Sequence, residues 1–187
     1  MSTREATVKA EASDEALMQA YCDGDTRALE ALFDRHAAGV HGFLLRMVRD
    51  AALADDLLQT TFLSVVRSAD RYQRGAKVMP WLLTIAGNAA RDTLRRKRLG
   101  VETVADDPTH VPEPAVEPGV SDPLARKRIE DAFQQLPVQQ REAVLLHKVH
   151  GLSFEEIAES LDITPTAARI RAHRGYEKLR ELLGDLQ

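Results

Sequence analysis

Apolar residues recur at helical spacing through most of the 187-residue chain, and the breaks between those runs divide it into elements. Over residues 13–21 and 25–48 the periodic positions include Leu29, Leu32, Phe33, Val40, Leu44, Met47 and Val48, with Gly24 separating two helices. A third helix is expected over 53–68, where Leu57, Leu58, Thr61, Phe62 and Val65 share one side. A fourth is expected over 80–98, with Pro80 suited to a first helical position, and residues 70–79 read as a loop. Two further helical patterns cover 124–136 and 137–150, and a helix-turn-helix pattern continues to the end. No stretch alternates Val, Ile or Thr as a strand would, so the fold class is all-α.

Two stretches fall outside this periodicity. Residues 1–12 are polar and Ala-rich, the composition of a disordered tail. Residues 100–123 hold Pro108, Pro112, Pro114, Pro118 and Pro123 among acids, with almost no large apolar residue to bury, which is the composition of a flexible linker. The expected organisation is therefore two small helical domains, residues 13–99 and 124–187. In extended form, roughly 20 linker residues at about 3.1 Å each reach on the order of 60 Å.

Composition narrows the function classes. Aromatic residues are only 5% of the chain against 44% hydrophobic, in keeping with helical rather than sheet cores. Cys22 is the single cysteine, so an internal disulfide, a cysteine zinc cluster and a CxxC redox pair are all excluded, and a reducing cytoplasm is the expected location. No charged start leads into an apolar run and no stretch of about 18 apolar residues occurs, so neither secretion nor membrane insertion is expected. The histidines include no HExxH, and there is no Gly-rich phosphate loop or nucleophile motif. No metal, cofactor or catalytic activity is expected.

The net charge of −4 disguises a segregated distribution. Arg91, Arg95, Arg96, Lys97 and Arg98 form one basic cluster, and Arg169, Arg171, Arg174, Lys178 and Arg180 form another. Acids gather at Asp55 and Asp56, in the linker, and at Glu155, Glu156 and Glu159. Because screening limits the reach of a charge to about 8 Å at physiological salt, a polyanion senses these clusters and not the total.

The second cluster belongs to the helix-turn-helix pattern of residues 151–169. Ser153 is placed to cap the first helix, with Glu156 three residues on to complete a capping box. Ile157, Ala158 and Leu161 face inward, Ile163 fills the turn, Thr164 caps the second helix, and Pro165 and Thr166 begin it. Ala168, Ala172, Tyr176, Leu179 and Leu183 make its buried stripe, leaving Thr166, Arg169, Ile170, Arg171, His173 and Arg174 to face a DNA major groove. A merely solvated basic helix would not require the accompanying caps and turn.

The N-terminal half carries a second set of motifs. Asp56-Leu-Leu-Gln59-Thr-Thr-Phe62-Leu63, then Trp81-Leu-Leu-Thr-Ile85-Ala86-Gly-Asn88 and a basic run, together with Gly-Leu-Ser-Phe-Glu-Glu-Ile-Ala near the end, resemble the extracytoplasmic-function (ECF) sigma factors of the sigma-70 family. The resemblance covers about residues 14–184. It implies a region 2 domain whose Asp55, Asp56, Gln59 and Phe62 dock on core RNA polymerase. The same domain would open the −10 element with Tyr72, Arg74, Lys77, Asn88, Arg91, Arg95 and Arg96, while the C-terminal region 4 domain would read the −35 element.

The resemblance also implies promoter DNA and an anti-sigma factor as partners. The chain departs from the family at Thr60, where Glu is frequent, and at Val78, where an aromatic is frequent. Those departures leave open a sigma-like decoy that binds an anti-sigma factor without starting transcription. A simple helix-turn-helix regulator is the other alternative, and it leaves the first hundred residues unexplained. Trp81 reads first as a core anchor, Asn88 equally as a solvated helix residue, and Tyr72, in a loop with Arg71 and Arg74, as exposed.

Overall fold

The computed structural model describes residues 12–100 and 122–184. The expected tail and linker fall almost wholly outside the described residues. Among those described, every element is helical and no strand occurs.

The N-terminal domain contains α1 (Asp14–Cys22), α2 (Thr26–Val48), α3 (Ala51–Ser68) and α4 (Val78–Arg98). A short side chain starts each of the first three by accepting from a free backbone N–H of the opening turn: Ser13 from Ala16 at 3.2 Å, Asp25 from Arg27 at 3.0 Å and Asp50 from Leu53 at 3.0 Å. Arg49 turns the corner between α2 and α3 in the left-handed region, with φ of 54°. Met18, Leu32, Val40, Phe43, Leu44, Met47, Leu82 and Leu83 fill the space between the helices.

The 70–79 loop is shorter than expected, because a tight turn spans Ala69–Arg71 and α4 begins at Val78. Val78 is buried and anchors the first turn of α4, which leaves Pro80 in that turn, where a missing N–H removes no intrahelical bond.

The C-terminal domain contains α5 (Pro123–Gln134), α6 (Val138–Val144), α7 (Phe154–Leu161) and α8 (Pro165–Leu183). Residues 137–150 do not form one regular helix. After Val144 the backbone widens into a turn over Leu145–Val149, in which His150 N–H donates to Leu145 O at 3.2 Å. The dilation keeps both Leu145 and Leu146 buried and brings His147 Nδ1 to 2.8 Å from Leu152 O.

The domains pack against each other, and one cluster of buried apolar side chains runs from Leu17 in α1 to Ala168 in α8. His150 meets the Phe43 ring edge-on at 5.7 Å between centroids. Arg141 is buried at this junction and donates to Phe133 O at 3.0 Å, Gln134 O at 3.0 Å, Leu136 O at 3.2 Å and Met47 O across the interface. Gln134 Nε2 donates to Arg46 O at 2.9 Å. The last turn of α2, whose carbonyls lack intrahelical partners, is thus capped by two side chains of the other domain, one of them cationic at the negative end of a helix dipole.

Candidate functional surfaces

The first surface lies between α2 and α3. Phe33 is 41% exposed, Leu63 55% and Val66 47%, and they line an open groove floored by Phe62. Phe33 and Phe62 meet edge-on at 4.7 Å. Asp56, Gln59, Leu63 and Val66 follow one helical stripe, so exposed polar and apolar groups share a face of α3. Asp55, Asp56 and Gln59 are exposed, and Asp55 lies 3.1 Å from His41 Nε2. Phe62 is buried and contributes the floor of the groove rather than a projecting anchor. Large apolar side chains in the open beside carboxylates make a surface suited to a helical partner with a basic rim.

The second surface centres on α4. Asn88 is exposed, and Arg91 Nη2 donates to its amide oxygen. Arg91 Nη1 also pairs with Glu142 from α6. Lys77 Nζ donates to Glu156 Oε1 of α7 at 2.7 Å; this bond raises the Lys77 pKa, and the same bond is the main cause holding the Glu156 carboxyl below its ordinary range. Burial pushes Glu142 up, opposed by the charges of Arg91 and Arg171. Arg74 pairs with Asp23 at 2.9 Å, Arg95 with Asp92 at 3.1 Å, and Arg96 donates to Thr93 at 3.2 Å.

Tyr72 is not the exposed loop residue that the sequence suggests. Its ring is buried, its hydroxyl donates to Ala76 O, and it packs edge-on against Trp81 at 5.1 Å. An aromatic flanked by arginines in a short loop finds more contact area inward, and here it braces the loop from beneath. Trp81 joins the same packed pair, as its place in an apolar stripe indicates.

The third surface is the helix-turn-helix. Ser153 accepts from Glu156 N–H at 3.2 Å while the Glu156 carboxylate accepts from Ser153 N–H at 2.8 Å, completing the capping box. Thr164 accepts from Ala167 N–H at 3.2 Å and Pro165 opens α8. Ala168 and Ala172 are buried against the domain, whereas Tyr176, Leu179 and Leu183 are only half-buried. Thr166, Arg169, Ile170, His173 and Arg174 are exposed. Arg169 lies over the Phe154 ring at 5.3 Å, and His173 meets Tyr176 edge-on at 6.3 Å. Arg171 is half-buried and, with Ile170 and Arg174, lines a cleft that Arg98 of α4 also lines.

Residues 32–99 match the family model for sigma-70 region 2, and residues 126–179 match that for sigma-70 region 4. The RNA polymerase sigma factor CarQ of Myxococcus xanthus is 56% identical over 91% of this chain and 97% of its own length. The chain belongs to the ECF sigma factors of the sigma-70 family. The ECF sigma factor SigE of Mycolicibacterium smegmatis is 35% identical over 92% of this chain and 70% of its own. Two solved structures share the fold at 23% identity: CnrH in complex with the cytosolic domain of CnrY, with a TM-score of 0.71 over 92% of this chain and 97% of that one, and the sigma factor RpoE of Bartonella quintana with the anti-sigma factor NepR, at 0.68 over 83% and 96%. Among the described residues no helix of this sigma factor is long and apolar enough to cross a membrane.

Sequence periodicity left two features of the sigma factor unseen. Phe33 falls among the periodic apolar positions and Leu63 and Val66 lie off the apolar side of α3, so the pattern does not bring the three together, yet all three are exposed and line one groove. The ion pairs of Arg91 with Glu142, Lys77 with Glu156 and Arg49 with Asp131 join residues 51, 79 and 82 positions apart, a pairing that no local pattern encodes.

Proposed function

We propose that this sigma factor joins core RNA polymerase through the α2–α3 groove, carries it to promoters through α8 and helps to open the −10 element with α4. The groove is the observation that carries the reading: Leu63 and Val66 stand exposed on the α3 stripe that also carries Asp56 and Gln59, where the family motif marks the polymerase contact, and the exposed Phe33 of α2 lines the same groove. The basic residues of α4 track single-stranded backbone and Asn88 meets a base, while Arg171 and Arg174 supply phosphate and guanine contacts in the major groove. Tyr72 acts beneath this face by holding the 72–76 loop. Residues 13–99 form the region 2 domain, 124–187 the region 4 domain, and 100–123 the linker between them.

The chain contributes binding and strand opening, and phosphodiester chemistry belongs to the polymerase. It works in the cytoplasm, where polymerase and chromosome are. The Bartonella quintana relative was solved with an anti-sigma factor, which supports control of this chain by a partner of that kind.

The test is co-elution with purified core polymerase in gel filtration. Leu63→Arg, which puts a charge into the apolar groove, should abolish co-elution, and Arg174→Ala should leave it intact. Unchanged co-elution of Leu63→Arg would remove the groove from the docking face.

A further inference from the structure

Arg169, exposed near the start of α8, carries its guanidinium carbon 5.3 Å from the centre of the Phe154 ring. His147 stacks on that same ring, with centroids 4.4 Å apart and planes 30° from parallel. The three groups come from α8, from the first turn of α7 and from the widened turn that follows α6. From this arrangement we infer that Phe154 is a positioning residue for the −35 contact. Its ring, braced by His147, holds the Arg169 guanidinium where it forks onto a guanine edge in the major groove. The inference rests on the −35 reading of α8 proposed above and adds to it the side chain that aims one base contact.

Each ring is fixed by contacts of its own. A carbonyl only accepts, so His147 carries its proton on Nδ1, which donates to Leu152 O at 2.8 Å and sets the ring plane. Tyr176 of α8 lies against the same imidazole at 6.4 Å between centroids. Phe154 is the first residue of α7, and the reciprocal bonds between Ser153 and Glu156 close around it. The widened turn at Leu145–Val149, which sets His147 against Leu152 O, thereby reaches the reading helix through two rings.

An arginine on an exposed helix face samples many rotamers, and binding DNA must freeze them. Among the described residues no carboxylate pairs with Arg169, and the ring face is what holds it. Attraction to a ring face draws on the aromatic quadrupole and occupies none of the five N–H donors that an ion pair would engage. The guanidinium is thus restrained in place with its fork still available to a base. Arg174, exposed on the same helix, lies over no ring among the described residues and serves as the comparison.

Fluorinating the rim of the Phe154 ring in the full chain tests this, because fluorine drains the negative ring face while nearly keeping the shape of the side chain. Holoenzyme assembled from core polymerase and each variant is equilibrated with a pool of random-sequence duplex DNA, and the bound fraction is sequenced to give the base preference at each position. Arg169→Ala should erase a preference for guanine at one position of the −35 element. The fluorinated ring should weaken that same preference about two- to fivefold, the range that an exposed cation–π contact supplies, and leave untouched the position that depends on Arg174. Phe154→Leu, which keeps apolar bulk at the start of α7, should act at the same position. Neither change at Phe154 should have any further effect there once Arg169→Ala is present.

An Arg169-dependent preference that survives both changes at Phe154 would overturn the positioning role. So would an equal loss at every position, which is what a general loosening of region 4 produces. If Arg169→Ala moves no preference while Arg174→Ala does, the inference falls and the reading by α8 stands. If neither variant moves any preference, the −35 reading itself fails and takes the inference with it.

Discussion

Removing the guanidinium of Arg141 while retaining an apolar stem, as Arg141→Met does, should destabilise the chain by about 3 kcal/mol. The side chain is buried and donates to four backbone carbonyls, three at the end of α5 and its following turn and one at the end of α2. A hydrogen bond to a charged group contributes about 1.5–3 kcal/mol, but returning the guanidinium to water recovers several kcal/mol, so the net falls well below the sum. For a chain of this size the midpoint should drop by about 6–12 °C in thermal unfolding followed by circular dichroism. Arg141→Lys should recover only part, since an ammonium on a flexible stem does not span the same fork. A drop of less than about 2 °C in Arg141→Met, or full recovery by lysine, would refute the carbonyl clasp.

Four further outcomes follow from particular contacts. A Cβ on Gly175 would lie 2.5 Å from Val144 Cγ2 and 3.3 Å from Gln140 O, so Gly175→Ala should cost about 1–2 kcal/mol in urea unfolding despite its better helix propensity; a gain in stability would show that α6 and α8 separate freely. Burial, with a smaller contribution from Arg46, pushes His150 down from 6.5 to about 4, so the folded chain holds it neutral where the unfolded chain protonates it. Its contribution is complete above pH 6.5 and is lost as pH falls towards 4, on the order of 3 kcal/mol, and His150→Leu should flatten that slope in a pH series of melts. Ser153→Ala removes half of the capping box and should lower stability by about 1 kcal/mol, whereas an unchanged melt would mean that the start of α7 is held by packing alone. Arg174→Ala should reduce the slope of log affinity against log salt for duplex promoter DNA by about one; an unchanged slope would place Arg174 off the phosphates.

The helices and the reading helix were legible because their information is local. Ser153, Glu156, Thr164 and Pro165 stand at fixed offsets and do in the structure what their chemistry suggests, and Ala168 and Ala172 mark the buried side of α8. The irregular points were not legible. Residues 137–150 carry an unbroken helical pattern, yet packing Leu145 and Leu146 together widens the backbone by a turn that period alone does not signal. Tyr72 was misjudged because a polar, arginine-flanked setting suggests exposure, while the nearby Trp81 ring and Ala76 carbonyl offered both a packing surface and a hydroxyl partner. The acid–base pairing between the domains was invisible for the same reason. Glu142 sits in an ordinary helical sequence, and only the fold brings it to Gly87 and Arg91.

Transcription of sheared genomic DNA by core polymerase, with transcript 5′ ends mapped, decides whether this chain directs the polymerase to promoters. Adding the chain should create start sites that share −10 and −35 elements at a fixed spacing, and Leu63→Arg should erase them. A chain that associates with polymerase yet adds no start sites would contradict the account and favour a decoy.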